Sequence, residues 1–295
     1  MTLGCGSLGR NKTTWRTLSY LALAFILLGC SNKFLYTNLD WVVLEYVDDY
    51  VTLENEQEAM LDERLQQLLR WHQEEELPLY AKQLQELETI NSAQVSAEFV
   101  IKQRAAIKQH TVRLATRAAP DIYALTLSLS AKQEQELLNN LAKKYQELDE
   151  KYGGWSEQER RRRYVERIEE SLEKWIGRLN TEQKALVVRW AGELQITTPH
   201  WREHRNKMLE VVRQLLNNKH DPHYLHENLM RLLLQPESYY SPELSEKVNF
   251  NIALANQYIP QISQTMSDKQ WRHFRSEVKN WRDLASELNN QIVGR

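Results

Sequence analysis

The feature that most constrains the fold of this chain is a helix-start pattern that recurs along it. An apolar residue is followed by Ser or Asn, and then by Gln or Glu three positions later. In this pattern the two polar side chains cap backbone N–H groups of the first turn, and the apolar residue packs against that turn. The five occurrences are Ile90-Asn91-Ser92-Ala93-Gln94, Leu129-Ser130-Ala131-Lys132-Gln133, Trp155-Ser156-Glu157-Gln158-Glu159, Leu179-Asn180-Thr181-Glu182-Gln183 and Met266-Ser267-Asp268-Lys269-Gln270. So many marked starts predict an all-α chain.

The spacing of apolar residues predicts the same fold class. In the last predicted helix, Trp271, Phe274 and Val278 recur at intervals of three or four residues, which places them on one helix face. Nine glycines and seven prolines are too few for the many turns of a sheet protein. We therefore predict an extended bundle of about nine amphipathic helices. They are predicted near residues 54–89, 92–119, 130–152, 156–178, 181–195, 199–218, 222–235, 242–260 and 267–291. Gly153-Gly154 is the predicted hinge if the helical domain, residues 54–295, forms two lobes.

The N-terminus predicts a secretory address. Arg10, Lys12 and Arg16 precede an apolar stretch from Leu18 to Leu28, and this order of basic and apolar segments is typical of a signal peptide. The apolar stretch is roughly half of the ~20 residues that a membrane-spanning helix needs. A cleaved signal is therefore favoured over a permanent anchor.

The signal ends in Leu27-Leu28-Gly29-Cys30, which resembles the lipobox of bacterial lipoproteins. The resemblance implies that residues 1–29 are removed and that Cys30 becomes the lipid-bearing N-terminus. Lipoproteins kept in the inner membrane carry an aspartate after the cysteine, whereas Ser31 follows here. The predicted location is the periplasmic face of the outer membrane, with the membrane as a partner through the lipid on Cys30.

This address limits the chemistry of the mature chain. Cys5 is lost with the signal and Cys30 carries lipid, so no thiol is left for a disulfide, a metal site or a nucleophile. Without the signal's three basic residues, 35 basic residues stand against 40 acidic ones, a net charge near −5. This balance argues against nucleic acid as a partner. We predict no cofactor and no metal site, since the pairs His200/His204 and His223/His226 lack a complete ligand set.

Two family resemblances add to this prediction. The start patterns that end in Gln resemble the LTxxQ motif of the Spy and CpxP group, which are periplasmic helical chaperones and stress sensors. The chain is also similar to an uncharacterised family of proteobacterial lipoproteins, a domain of unknown function, in which a short aromatic and acidic segment follows the lipobox. That segment here includes 36–41 and 47–50. The second resemblance implies the address and a helical fold, and supplies no catalytic residues.

Candidate binding residues fall in two stretches. These are the acidic-aromatic segment (residues 30–53) and residues 71–80, which surround Pro78. Within the second stretch, His72 and Glu76 are four residues apart, a spacing that either orients an imidazole for acid–base work or forms a simple hydrogen bond on a helix face. The acidic-aromatic segment either packs on the helix that holds these residues or extends as a linker. The candidates are Asp40, Trp41, Asp48, Asp49, Tyr50, Trp71, His72, Glu76 and Tyr80.

The leading functional prediction is a non-enzymatic lipoprotein that binds envelope proteins through grooves between long helices, in chaperoning or in envelope-stress surveillance. The alternative is an envelope hydrolase, which requires Asp40, Asp49, His72 and Glu76 to converge in one pocket. The basic run 160–163 is interspersed with glutamates, and we predict that it is compensated locally. The alternative for this run is contact with anionic lipid or lipopolysaccharide.

Overall fold

A computed structural model describes residues 30–293 of the chain, with side chains described for residues 33–290. The predicted signal peptide, residues 1–29, lies outside the described residues. Over the described range the chain is helical and contains no β-strand, which confirms the predicted all-α fold. The helices are α1 Cys30–Thr37, α2 Leu39–Asp48, α3 Asn55–Trp71, α4 Leu77–Thr89, α5 Ala97–Ser128, α6 Ala131–Tyr152, α7 Glu157–Ile176, α8 Thr181–Glu193, α9 Thr198–Asn217, α10 Pro222–Leu234, α11 Pro242–Gln264 and α12 Asp268–Val293.

All five predicted start patterns form their capping hydrogen bonds. The first of them differs in what it caps. Asn91 and Gln94 cap only a short 3₁₀ turn, and α5 begins later, where the Ser96 hydroxyl accepts the N–H of Phe99. The predicted end at residue 119 is also too early, because α5 continues through Pro120 to Ser128. Packing of α5 against α3, α10 and α11 offsets the backbone hydrogen bond that the proline removes.

The predicted helix 54–89 is divided in two. After α3, residues His72–Glu76 form a π turn in which the N–H of Leu77 donates to the carbonyl of His72. Pro78 follows in the first turn of α4 and, because it has no N–H, donates no hydrogen bond to the preceding turn. The predicted helix is therefore interrupted by a widened turn just before the proline.

The acidic-aromatic segment packs against the bundle and does not extend as a linker. It forms α1 and α2, which were not among the predicted helices. Tyr36 of α1 packs against Leu77 and Leu288. Further along, Val51 is buried with Leu129. The Gly153-Gly154 pair lies in the turn between α6 and α7.

Buried glutamines join two helix starts in the first half of the chain. Gln57 and Gln133 are the third residues of α3 and α6, and both are buried. Nε2 of Gln57 lies 3.2 Å from Oε1 of Gln133, and Nε2 of Gln133 lies 2.6 Å from Oε1 of Gln57. The two amides thus exchange hydrogen bonds and fix the N-termini of α3 and α6 against each other.

Helices from both halves of the chain pack together around a second apolar region. Helix α5 packs on α11, and α12 packs on α7 as well as along α4. The main apolar cluster here includes Ile176, Leu186, Val187, Leu254 and Ile262. Among the described residues, no helix combines the length and the apolar character needed to cross a membrane.

Candidate functional site

Two tyrosines hold the predicted site residue His72 from opposite sides. The hydroxyl of Tyr36 lies 2.8 Å from Nδ1, and the hydroxyl of Tyr80 lies 3.3 Å from Nε2. Burial lowers the pKa of the His72 imidazole, an effect that neighbouring His110 strengthens and Glu76 opposes. A neutral imidazole has one N–H and one lone pair, so one tyrosine donates to it and the other accepts. His72 therefore acts as a fixed bridge between α1 and α4.

Glu76 contacts a different set of partners. Its carboxylate is 1 % exposed and receives hydrogen bonds from Nε and Nη2 of Arg113, and its Oε2 lies 3.0 Å from Nδ1 of His110. Burial alone would raise the pKa of Glu76, but the hydrogen bonds and charges of Arg113 and His110 lower it overall. Nε2 of His110 in turn lies 3.0 Å from Oε1 of Gln83. The π turn thus places a charged carboxylate inside the bundle, where its oxygens are already occupied.

The candidates on α2 lie apart from His72 and Glu76. Asp48 and Trp41 are exposed, and Asp40 accepts the backbone N–H of Trp41. Asp49 is 3.4 Å from Nζ of Lys144. The hydrogen bond to Tyr46 raises the pKa of Tyr50 to about 12. Trp71 is half-buried next to His72. The predicted candidates therefore form two groups. One consists of Trp71, His72, Glu76 and Tyr80, and the other lies on α2 and just after it.

A large apolar concavity was not predicted from the sequence. This apolar cavity has a volume of about 580 Å³ and is enclosed mainly by α5, α7, α11 and α12. Phe99, Leu172, Trp175, Met266 and Phe274 are among its walls. The few polar residues that line it are Gln103, Arg104, Arg167, Ser171 and Ser263.

A second concavity, the arginine pocket, lies at the start of α7. It has a volume of about 200 Å³, and its walls are aromatic and cationic. The guanidinium groups belong to Arg160, Arg163, Arg167 and Arg205, and the aromatic rings to Tyr152, Trp155, Tyr164 and Trp201. Leu148 and Thr198 complete it.

The arginines of this pocket differ in how they are paired. Arg163 bonds to Glu166 and Glu170, as local compensation predicts. Arg160 donates from Nη2 to the backbone carbonyl of Gly153 and makes no ion pair within the described residues. Nε of Arg160 and Nε of Arg205 are both buried without a hydrogen-bond partner in this part of the chain. Two guanidinium donors therefore remain unsatisfied at one pocket.

The histidine pairs do not assemble a metal site in the described part of the chain, where no group of three His, Cys, Asp or Glu side chains is arranged to hold an ion. Nε2 of His200 lies 3.3 Å from Glu243. His204 packs edge-on against Trp201 and Tyr240, and burial lowers the pKa of its imidazole. His223 is largely exposed.

The sequence matches the model of a known protein family. Residues 49–245 match the model of a family described as "Family of unknown function (DUF6279)". The chain belongs to this family. The match includes α5, α7 and the whole arginine pocket, while α12 lies beyond it. Membership confirms the predicted resemblance to an uncharacterised domain.

Neither the curated proteins nor the solved structures contain a match to the chain. The likeness of the start patterns to the LTxxQ motif of the Spy and CpxP group therefore gains no support from comparison and stays a prediction.

Proposed function

We propose that this member of the DUF6279 family is a non-enzymatic binding lipoprotein, anchored through Cys30 to the periplasmic face of the outer membrane, that holds an apolar part of its ligand in the apolar cavity. The observation that carries the proposal is the cavity itself. At about 580 Å³ it is within the range of roughly 300–1,000 Å³ typical of ligand sites. Its apolar walls favour an apolar occupant by about 25 cal/mol for each Å² removed from water.

The residues that line the cavity support binding over catalysis. No Asp, Glu, His, Lys or Cys is among the described residues of its wall. General acid–base catalysis and nucleophilic catalysis both need such groups within reach of the ligand. The cavity supplies a shaped apolar surface with Arg104 and Arg167 as its charged groups. This is the composition of a site that holds a ligand without changing it.

The alternative of an envelope hydrolase has no comparable support. Glu76 is almost fully buried, and both its oxygens bond to Arg113. Asp40 and Asp49 make their hydrogen bonds elsewhere. A hydrolase at this place would need a carboxylate that is open to substrate. We therefore propose binding as the function, with envelope proteins or envelope lipids as the ligand classes.

Two exposed isoleucines of α5 provide a matched test. Ile107 lines the cavity and is 58 % exposed, whereas Ile101 is 51 % exposed and is not part of the wall. The probe is N-phenyl-1-naphthylamine, a neutral dye whose fluorescence rises in apolar sites. Ile107→Glu is expected to weaken dye binding about tenfold, because it places a carboxylate beside the apolar walls. Ile101→Glu is expected to bind as the wild type does.

The dye experiment also has a result that contradicts the proposal. If the wild-type protein does not bind the dye, or if Ile101→Glu and Ile107→Glu weaken binding equally, the cavity is not the binding site. Circular dichroism of both variants checks that the helical fold is retained, which is expected since both side chains are exposed.

A further inference from the structure

We propose that the ligand is an acyl chain that carries a phosphate group, with its chain in the apolar cavity and its phosphate in the arginine pocket. This inference rests on the proposed function, because it names the ligand of the same cavity. Three features support it: one helix face lines both concavities, the donors at one end of that face are unsatisfied, and the length of the apolar part fits one lipid chain.

Helix α7 joins the two concavities along a single face. Residues 160, 163, 164 and 167 line the arginine pocket, and residues 167, 168, 171, 172 and 175 line the cavity. Steps of three and one repeat along this series, which is the spacing of one helix face. Arg167 belongs to both walls. The face is therefore cationic in its first two turns and apolar in the next two, which is the polarity of an anionic amphiphile.

The cationic end is suited to a phosphate. Arg160 and Arg167 have no carboxylate partner among the described residues, and Nε of both Arg160 and Arg205 is buried without an acceptor. A buried donor that lacks an acceptor costs about 1–3 kcal/mol. A phosphate offers several acceptor oxygens, and planar guanidinium groups bind it through paired hydrogen bonds. A phosphate in the pocket would supply Arg160 and Arg167 with the anionic partner that they lack among the described residues.

The local charge makes this pocket distinctive in an acidic chain. The whole chain has a formal net charge of −2, so a general attraction to anions is not expected. Nevertheless, four arginines line a pocket of about 200 Å³. Arg163 and Arg205 are ion-paired with carboxylates outside its wall, whereas Arg160 and Arg167 have no such partner among the described residues. Tyr and Trp side chains have an apolar ring and a polar group, so they suit the boundary between polar and apolar parts of a ligand. Tyr152, Trp155 and Trp201 of this pocket are therefore suited to the part of the lipid where the headgroup joins the chain.

The apolar end has the length of one lipid chain. From Arg167 to Trp175 is eight residues along α7, or about 12 Å at 1.5 Å per residue. The hydrocarbon core of a bilayer is about 30 Å thick for two leaflets, so one chain spans about 15 Å. Trp271 and Phe274 of α12 also line the cavity, so this length describes its α7 wall alone. A single acyl chain therefore matches this space.

Photocross-linking in cells tests the proposal on the full lipid-anchored protein. Ile107 is replaced by p-benzoylphenylalanine, and Ile101→p-benzoylphenylalanine is the matched control, since only Ile107 lines the cavity. Cells are grown with ³²P-phosphate or with ¹⁴C-acetate, irradiated, and the denatured protein is examined for label. Benzophenone inserts into C–H bonds, so inorganic phosphate cannot give a signal. We expect ³²P label dependent on irradiation at Ile107 and background label at Ile101.

The arginine pocket has its own matched variants. Arg160→Gln combined with Arg167→Gln removes the two pocket arginines without carboxylate partners. Arg162→Gln is the control, because Arg162 lies on the same helix, is exposed and lines neither concavity. Loss of two charge-assisted hydrogen bonds is expected to lower the ³²P yield at Ile107 about tenfold or more. Arg162→Gln is expected to leave the yield unchanged.

Each remaining outcome separates this proposal from the proposed function. Light-dependent ¹⁴C label without ³²P means a neutral apolar ligand, which overturns the phosphate inference and keeps the binding function. A protein adduct without either lipid label means a protein client, with the same consequence. An equal ³²P yield in the double Arg variant also overturns the inference. Background signal in every assay, together with no dye binding, overturns the proposed function itself.

Discussion

Gln183 and Gln270 exchange hydrogen bonds between their buried side-chain amides. Nε2 of Gln183 lies 3.2 Å from Oε1 of Gln270, and Nε2 of Gln270 lies 2.8 Å from Oε1 of Gln183. The same arrangement joins Gln57 to Gln133. Each of the four glutamines is the third residue of its helix and also accepts the N–H of its own capping residue. Two pairs of helix starts are therefore fastened in the same way.

A further contact is shared by all four glutamines. Each Nε2 also donates to the backbone carbonyl two positions before the capping residue of the partner helix. The acceptors are Ser128 for Gln57, Thr52 for Gln133, Thr265 for Gln183 and Arg178 for Gln270. These amides thus satisfy donors and acceptors on both helices, which explains why polar side chains are buried at these places.

We expect Gln183→Ala to lower the free energy of unfolding by about 2–3 kcal/mol, because it removes both hydrogen bonds to the buried amide of Gln270 and the acceptor of the Asn180 N–H. Gln94→Ala is the matched control. Gln94 closes the same kind of capping box but is exposed and has no paired glutamine among the described residues, so a loss below about 1 kcal/mol is expected. Urea denaturation measures both, and equal losses would show that the pairing adds nothing.

The helix-start patterns show which contacts can be predicted from the sequence and which cannot. Their capping hydrogen bonds are local, so the residues Ser267 to Gln270 suffice to predict them. The pairing of Gln183 with Gln270 joins positions 87 residues apart, and a solvent-exposed glutamine would give the same local pattern. The π turn at His72–Glu76 was likewise not predicted.

The functional site was less accessible from the sequence for a related reason. Phe274 and Val278 follow the spacing of one helix face, and Val278 is fully buried. In the structure they line the apolar cavity, because the surrounding helices leave a gap that helical spacing cannot reveal. The predicted site included the acidic-aromatic segment near the N-terminus. Arg160 and Arg167 were not predicted as site residues, because only the folded structure brings Arg205 of α9 to the same pocket.

The ion pair of buried Glu76 with partly exposed Arg113 predicts a pH-dependent stability. The folded-state pKa of Glu76 is lowered from 4.5, so this group contributes stability above that pH, and the contribution is lost as pH falls through its folded pKa. Glu76→Gln is expected to cost about 1–3 kcal/mol at pH 7, because it removes the charge-assisted hydrogen bonds from Arg113, whose own side chain keeps partial access to water. The difference from wild type should shrink below about pH 4.5.

Urea denaturation of both proteins at several pH values measures this difference. Glu75→Gln is the control, because Glu75 is the exposed neighbour in the same π turn. It should change stability by less than about 0.5 kcal/mol at any pH. A Glu76→Gln difference that stays constant from pH 7 down to the acid range would contradict the lowered pKa of Glu76.

The bridge from Tyr36 through His72 to Tyr80 predicts a second pH effect, at higher pH. Burial lowers the pKa of His72 from 6.5, so the unfolded chain binds a proton that the folded chain does not. Stability is therefore complete above about pH 6.5 and decreases as pH falls from there toward the folded pKa. In His72→Gln this decrease should be smaller, so the stability difference between the two proteins narrows between pH 7 and pH 5. A widening difference would mean that His72 is stabilised in its charged form.

The structure gives the predicted anchor a geometric consequence that can be tested. Cys30 is the first residue of α1, and Tyr36 of the same helix already packs against α4. Six residues of helix span about 9 Å, so lipid on Cys30 would hold the bundle close to the membrane. Phe34 and Trp41 are 65 % and 60 % exposed. In the anchored protein they would lie near the membrane surface, where aromatic side chains are favoured.

We expect Cys30→Ser to abolish labelling of the protein with ³H-palmitate and to prevent cleavage at residue 29, because the hydroxyl cannot form the thioether to diacylglycerol. Cys5→Ser is the matched control, since Cys5 lies within the segment predicted to be removed. Its labelling and its mobility on a denaturing gel should equal those of wild type. If Cys30→Ser is still labelled, or if Cys5→Ser loses the label, the anchor is not on Cys30.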